Sequence, residues 1–174
     1  MMKKILISLS FLIFLLSFNI SFAEVLSPTP PPKLSYELPY PGLLPDHPLY
    51  FLRIARDRIV DFLISESLKK GEFDLLQADK RLNAGIYLFN KGKISMSIST
   101  ISKAENYFEK AIQKIKEAKG QGRDIKDMER KLRTSVKKHQ EELEKLIAKV
   151  NKDFKGSFEK EYKRVVEFEE RLKR

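Results

Sequence analysis

Beyond residue 48, apolar residues recur at helical intervals, and no stretch alternates with the period of two expected of a strand. From Ser67 to Asn90, Leu68, Leu75, Leu82 and Phe89 fall seven residues apart, and Gly71, Ala78 and Gly85 follow the first three of them by three positions. Large residues alternating with small ones let two helices approach closely along a seam. The next segment repeats the device with Ile94, Ile101, Phe108 and Ile115, accompanied by Ala104, Ala111 and Ala118. Asn90, Lys91 and Gly92 form a stop signal between the two, so an antiparallel hairpin is expected. Gly120 and Gly122 end the second arm, and Asp124 is placed to cap the next helix. There the stripe Ile125, Met128, Leu132, Val136, His139, Leu143, Leu146 and Val150 continues as Phe154, Phe158, Tyr162, Val165, Phe168 and Leu172. That pattern predicts one long C-terminal helix, with Gly156 as the place for a kink or a second short helix.

A shorter helix precedes these. Asp46 is its expected N-cap and Pro48 sits in its first turn, where a missing N–H does no harm. It runs to about Ile64, with Phe51, Leu52, Ala55, Ile59, Phe62 and Leu63 sharing a broad face and Arg53, Asp57, Arg58 and Asp61 in a narrow polar wedge. Arg53 and Asp57 are spaced for an i,i+4 pair, Arg53 and Arg58 are within reach of Asp57 and Asp61, and Arg56 falls in the apolar sector and needs a partner. The broad apolar face is expected to be buried in the bundle; the alternative is an amphipathic element docking to a membrane or partner.

The start of the chain has a different character. Lys3 and Lys4 precede an apolar run from Ile5 to Ile20, and Ser21 and Ala23 supply the small residues of a cleavage site, the layout of a secretory signal. Cleavage after Ala23 gives an exported, periplasmic or extracellular protein; retention of the segment gives a membrane-anchored one. All eight prolines lie between Pro28 and Pro48, and residues 24–45 read as a Pro-rich linker. The expected division is signal peptide 1–23, linker 24–45 and helical domain 46–174. No second apolar run is long enough to span a membrane, so the mature chain is not expected to be integral.

Cysteine is absent, which excludes disulfides, a lipid-bearing cysteine and thiolate chemistry. Of the two histidines, His47 lies beside the first cap and His139 on the inward stripe with Glu142 three residues on. A metal would need two or three more converging ligands. Phosphate-loop, nucleophile-elbow and His-Glu-x-x-His signatures are also missing. Neither an enzyme nor a cofactor is expected.

The formal charge is +10, and its excess is concentrated: from Lys110 to Lys138 there are eleven Lys or Arg against four acids. Lys126, Arg130, Arg133 and Lys137 follow one face of their helix within roughly 60°, and Lys103, Lys110 and Lys114 line another on the preceding arm. Both ridges approach the Gly120–Gly122 turn and are expected to share a basic hairpin end. A solvated face is the plainer reading. The functional one is a polyanion or membrane-surface patch whose binding weakens with salt. Only Tyr107 lies on the ridge, so base stacking has little support and nucleic acid is not an expected partner.

From Leu44 to Leu52 the chain reads LPDHPLYFL, followed by Arg53, then Lys69, Lys70, Gly71 and Glu72, with Ala78, Arg81 and Leu82 beyond. Over residues 44–118 this resembles a bacterial domain-of-unknown-function family of exported proteins that opens with a Pro-x-Ser-Pro-x-Tyr-x-Leu-Lys type motif. His47 stands where that motif has serine and Gly71 where alanine is usual. The resemblance implies an extracytoplasmic helical hairpin domain and transfers no activity or site residues. The expectation is an all-α antiparallel bundle of about four helices, acting as a non-enzymatic cell-envelope binding or scaffolding module. Its partner would be a protein, a second copy or an anionic envelope surface.

Overall fold

Five α-helices and no strand make up residues 36–173, the part of the chain that the computed structural model describes. They are α1 Tyr50–Leu63, α2 Ser67–Asn90, α3 Ile94–Gly120, α4 Lys126–Lys149 and α5 Lys152–Lys173. The signal peptide assigned to residues 1–23 and the linker as far as residue 35 lie outside the described residues.

The seam between α2 and α3 forms as the alternation requires. A Cβ at Gly71 would come within 2.6 Å of Ile115 Cδ1, and one at Gly85 within 2.4 Å of Ile101 Cγ1. The two backbones therefore sit closer than any side chain at those positions would permit. Ser97 Oγ uses that proximity to donate to the Gly85 carbonyl at 2.8 Å. Both arms end in the same device. Gly92 (φ 74°) and Gly122 (φ 76°) occupy the left-handed region, and the N–H groups of Lys93 and Arg123 reach back to the carbonyls of Leu88 and Ala118. An L side chain is strained in that conformation, which is why glycine stands at these stops.

The long C-terminal helix is corrected to two. Val150 turns extended (ψ 152°) and ends α4, and α5 begins at Lys152; Gly156 lies inside α5 with open space around it. Asn151 stands at the head of α5, where asparagine is a favoured residue. The stripe runs through the break because both helices face the same core. Phe158, Val165 and Phe168 of α5 are buried beside Val136, Leu143 and Leu146 of α4. The two helices form an antiparallel hairpin fastened by Gln140 donating to Glu169 at 3.0 Å and Tyr162 to Glu144 at 2.7 Å.

Around the bundle α2 neighbours α3 and α4, and α5 neighbours α3 and α4, while α3 and α4 meet mainly across the core. Phe108 of α3 marks that centre, stacked on Phe168 at 5.5 Å and edge-on to His139 at 5.0 Å.

The linker boundary also shifts. Residues 36–45 lack helix yet pack on α2: Asn83 donates to the Pro39 carbonyl at 2.9 Å, Leu38 packs against the core, and Pro41 is buried. Asp46 is not the N-cap of α1, which begins at Tyr50 without a side-chain cap. Its carboxylate instead takes Lys91 at 3.1 Å and Lys93 at 2.9 Å, and these hydrogen bonds hold its pKa down at about 2. Residues 36–46 thus form a strap across α2, fixed at its end to the α2–α3 turn.

Candidate functional site

Arg53 and Asp57 of the α1 polar wedge turn inward, Arg58 stays exposed, and the apolar face turns out, the reverse of the expected burial. Arg53 and Asp57 are buried, and no α1 residue belongs to the apolar core. Arg53 donates to the Leu43 carbonyl at 2.7 Å and lies 3.8 Å from Asp57 Oδ2; Arg81 of α2 approaches the same oxygen at 3.7 Å. That oxygen accepts no hydrogen bond, so two guanidinium groups hold it by charge alone. Arg81 also lies over the Tyr107 ring at 4.1 Å. Arg56 finds its partner in the other Asp57 oxygen at 2.7 Å. Asp61 is paired not with Arg58 but with Lys70, at 3.4 Å. Burial lowers the pKa of Arg53, opposed in part by Tyr50 and Asp57. Removing one partner from such a cluster would leave an uncompensated buried charge, so α1 is held with its polar side down.

On the outer side Phe62 is 85% exposed, Leu63 72%, Phe51 and Ile59 61% each, and Leu52 52%. At 100° per residue these side chains and Ala55 occupy an arc of about 120°, with Arg58 at one border and Arg56 at the other. A groove of about 340 Å³ adjoins the arc, lined by Tyr40, Pro41, Leu43, Leu52, Arg56 and Lys80.

A second polar cluster is sealed inside the bundle. The His139 imidazole, with no solvent exposure, bridges Asp79 of α2 (Nε2 to Oδ1, 3.1 Å) and Glu105 of α3 (Nδ1 to Oε1, 3.0 Å). Ser135 donates to Asp79 Oδ1 at 2.6 Å, and the Tyr36 hydroxyl donates to Asp79 Oδ2. Burial alone would lower the His139 pKa, but the Glu105 and Asp79 carboxylates outweigh it and raise it to about 9. The imidazole is thus charged at neutral pH, a cation between two acids. The Tyr36 hydroxyl is also raised, by burial and then by Asp79. Ser, His and two carboxylates in mutual contact resemble nucleophilic machinery, but each is closed off from solvent and His139 contacts carboxylates rather than the Ser135 hydroxyl. Spacing alone places His139 on the inward stripe; its partners, 34 and 60 residues away, leave no local signal in the sequence. His47 accepts the Leu49 N–H at 3.1 Å, a local contact at the entry to α1. Among the described residues no group of His, Asp and Glu is arranged to hold a metal ion.

The seven basic residues of the sequence ridges lie on the surface, but not together. Lys103, Lys110 and Lys114 sit roughly 140–180° around α3 from Glu105, and Lys126, Arg130, Arg133 and Lys137 roughly 120–180° around α4 from His139. Glu105 and His139 point at one another across the core, so the two ridges face away from each other and form no shared hairpin end. Some of their charge is also matched: Lys114 bonds Glu117 at 2.6 Å, and Arg130 bonds Asp127 at 2.9 Å.

The family model for a domain of unknown function (DUF5667) matches residues 42–153. The chain belongs to the DUF5667 family. The DUF5667 match extends past the 44–118 stretch in which the sequence resemblance is visible, and takes in α1 to α4. It stops short of two parts that complete the fold here: Tyr36, which reaches Asp79, and α5. No curated protein and no solved structure matches the chain.

Proposed function

We propose that this DUF5667 protein is a non-enzymatic, extracytoplasmic module that binds or scaffolds components of the cell envelope, using the outer face of α1 as its docking surface. The outward apolar arc of α1 carries this reading, because exposed contiguous apolar side chains on an otherwise charged protein mark interaction sites. The inward ion cluster supports it too, since a helix with its charges underneath presents the arc rigidly. The leader-like residues 1–23 support export. The sealed Asp79–His139–Glu105 cluster fits a role in holding three helices together rather than in turning over a substrate.

The test is an Ile59→Ser/Phe62→Ser variant of the full chain, produced in an exporting cell. Its thermal midpoint should be unchanged or slightly higher, and it should leave the envelope fraction that retains the wild type. If the two side chains were core, the pair would instead lose several kcal/mol (about 2–5 for each truncated large apolar side chain). Unaltered envelope retention, or an intact leader on protein found in the cytosol, would defeat the proposal.

A further inference from the structure

We infer that the surface on which α1 docks is an anionic lipid bilayer, with the apolar arc entering the acyl boundary and the bordering arginines meeting headgroup phosphates. This rests on the docking role proposed for α1 and names its occupant. The chemistry of the exposed half of the helix selects it. Between Arg58 and Arg56 lie only Phe51, Leu52, Ala55, Ile59, Phe62 and Leu63, on a convex helix surface of which only Leu52 borders the groove. A helix lying in a membrane interface has this form, an apolar sector with cations where it meets the headgroup plane. Both carboxylates of α1 are withdrawn from that plane: Asp57 is buried under three guanidinium groups, and Asp61 is matched by Lys70. An acidic headgroup layer therefore meets cations on either side. The one carboxylate of this helix that keeps solvent exposure, Asp61 with its side chain 44% exposed, is paired with Lys70 and lies about 60° beyond Arg58, away from the arc.

Two further features point the same way. Arg58 and Lys80 make no ion pair among the described residues, and Lys80 lines the groove beside Leu52 together with Tyr40, which is 76% exposed. The apolar surface thus continues from α1 onto the strap, with a cation at its edge. Aromatic and aliphatic side chains with interspersed Arg and Lys on one side of a folded unit match a lipid interface better than a protein groove, which would need acids of its own to meet Arg56 and Arg58.

The chain contains no cysteine, so a single reporter can be placed without background. An environment-sensitive fluorophore is attached to the full chain through Ala55→Cys, within the arc, and in a separate preparation through Lys155→Cys on α5. Each is titrated with vesicles of phosphatidylcholine alone or mixed with phosphatidylglycerol. The reporter at position 55 should brighten several-fold and shift to the blue with the anionic vesicles only, while that at 155 stays as in buffer. Arg58→Gln should weaken the response about fivefold, the share of one arginine near an anionic surface, and added salt should weaken it further. Because the readout is local to α1, any membrane affinity of the N-terminal apolar run does not imitate it. No change at 55, or an equal change with neutral vesicles, overturns the inference. A reporter at 55 that is silent with vesicles but becomes buried as protein concentration rises, with light scattering showing a doubled mass, identifies a second copy as the occupant; the docking role would then stand without the lipid. Silence in both, with the Ile59→Ser/Phe62→Ser variant retained in the envelope like wild type, removes both.

Discussion

His139 is the residue whose chemistry bears most directly on stability. Its folded pKa, raised to about 9 from an ordinary 6.5, means that the native state holds a proton the unfolded chain releases. The stabilisation is complete below pH 6.5 and is lost as pH rises toward 9. The urea midpoint should therefore decline across that window, and His139→Gln should flatten the decline. The same substitution should cost about 3 kcal/mol or more at pH 7, because it leaves Asp79 and Glu105 buried without their cation. Unchanged stability in the variant would mean that the two acids share a proton instead. Asp74 acts in a different window. Burial first and Asp61 second raise its pKa to about 6 from 3.8, so its contribution is present below pH 3.8 and is lost as pH rises through 6. Asp74→Asn should stabilise the protein at pH 7 by about 1–2 kcal/mol after solvent screening and leave pH 3 stability nearly unchanged. Two denaturation series at those pH values separate it from His139.

Within the α2–α3 pair the two seam glycines are not equivalent. Alanine in place of a helical glycine gains about 1 kcal/mol of propensity, and overpacking opposes it with about 1–3 kcal/mol. At Gly71 the nearest obstacle is the Cδ1 end of Ile115, which can rotate away; at Gly85 it is the Cγ1 of Ile101, nearer that side chain's root, at 2.4 Å. Gly85→Ala should lower the thermal midpoint, and Gly71→Ala should lower it less or not at all. Equal effects would mean that the backbones part as a unit. These two helices were legible from sequence, because seam and stop glycines are local signals and Gly92 and Gly122 carry the conformation their position demands. The helix wheel of α1 was equally clear, but a wheel does not say which side faces in. That depends on Arg81, 24 residues past Asp57, and on the Leu43 carbonyl, neither of which belongs to the pattern of α1. The α4–α5 break was hidden for the opposite reason: antiparallel helices on one core continue the same stripe, and only Asn151, a single cap-type residue, marks the turn. The basic ridges lie on the outside of their helices, and their separation follows from α3 and α4 being diagonal, a property of the bundle and not of either helix.

For the whole molecule, the consequential element is the one beyond the family match. The match ends at residue 153, yet α5 supplies Phe158, Val165 and Phe168 to the core, with Phe158 edge-on to Phe89 at 5.8 Å and Phe168 stacked on Phe108. It also clasps α3 from outside, through Arg164 to Asn106 at 2.8 Å and Arg171 to Glu109 at 2.9 Å. Without α5, Phe108 loses the ring that covers it, and the core faces of α3 and α4 open to water beside the buried charges of Glu105 and His139. Loss of three large buried side chains, at about 2–5 kcal/mol each, is comparable with the entire 5–15 kcal/mol that holds an ordinary domain folded. Water admitted to the Asp79–His139–Glu105 cluster would also remove the low-dielectric setting that makes those contacts strong. A chain ending at Val150 should therefore keep helical circular dichroism from the tight α2–α3 pair but lose its cooperative thermal transition and its amide dispersion in NMR. The Gly85 seam would survive while the His139 cluster would not, so the pH dependence between 6.5 and about 9 should vanish along with cooperativity. A truncated chain that still unfolds in one sharp step with that pH dependence intact would show that the four helices within the family match form a self-sufficient core, with α5 an accessory laid over it.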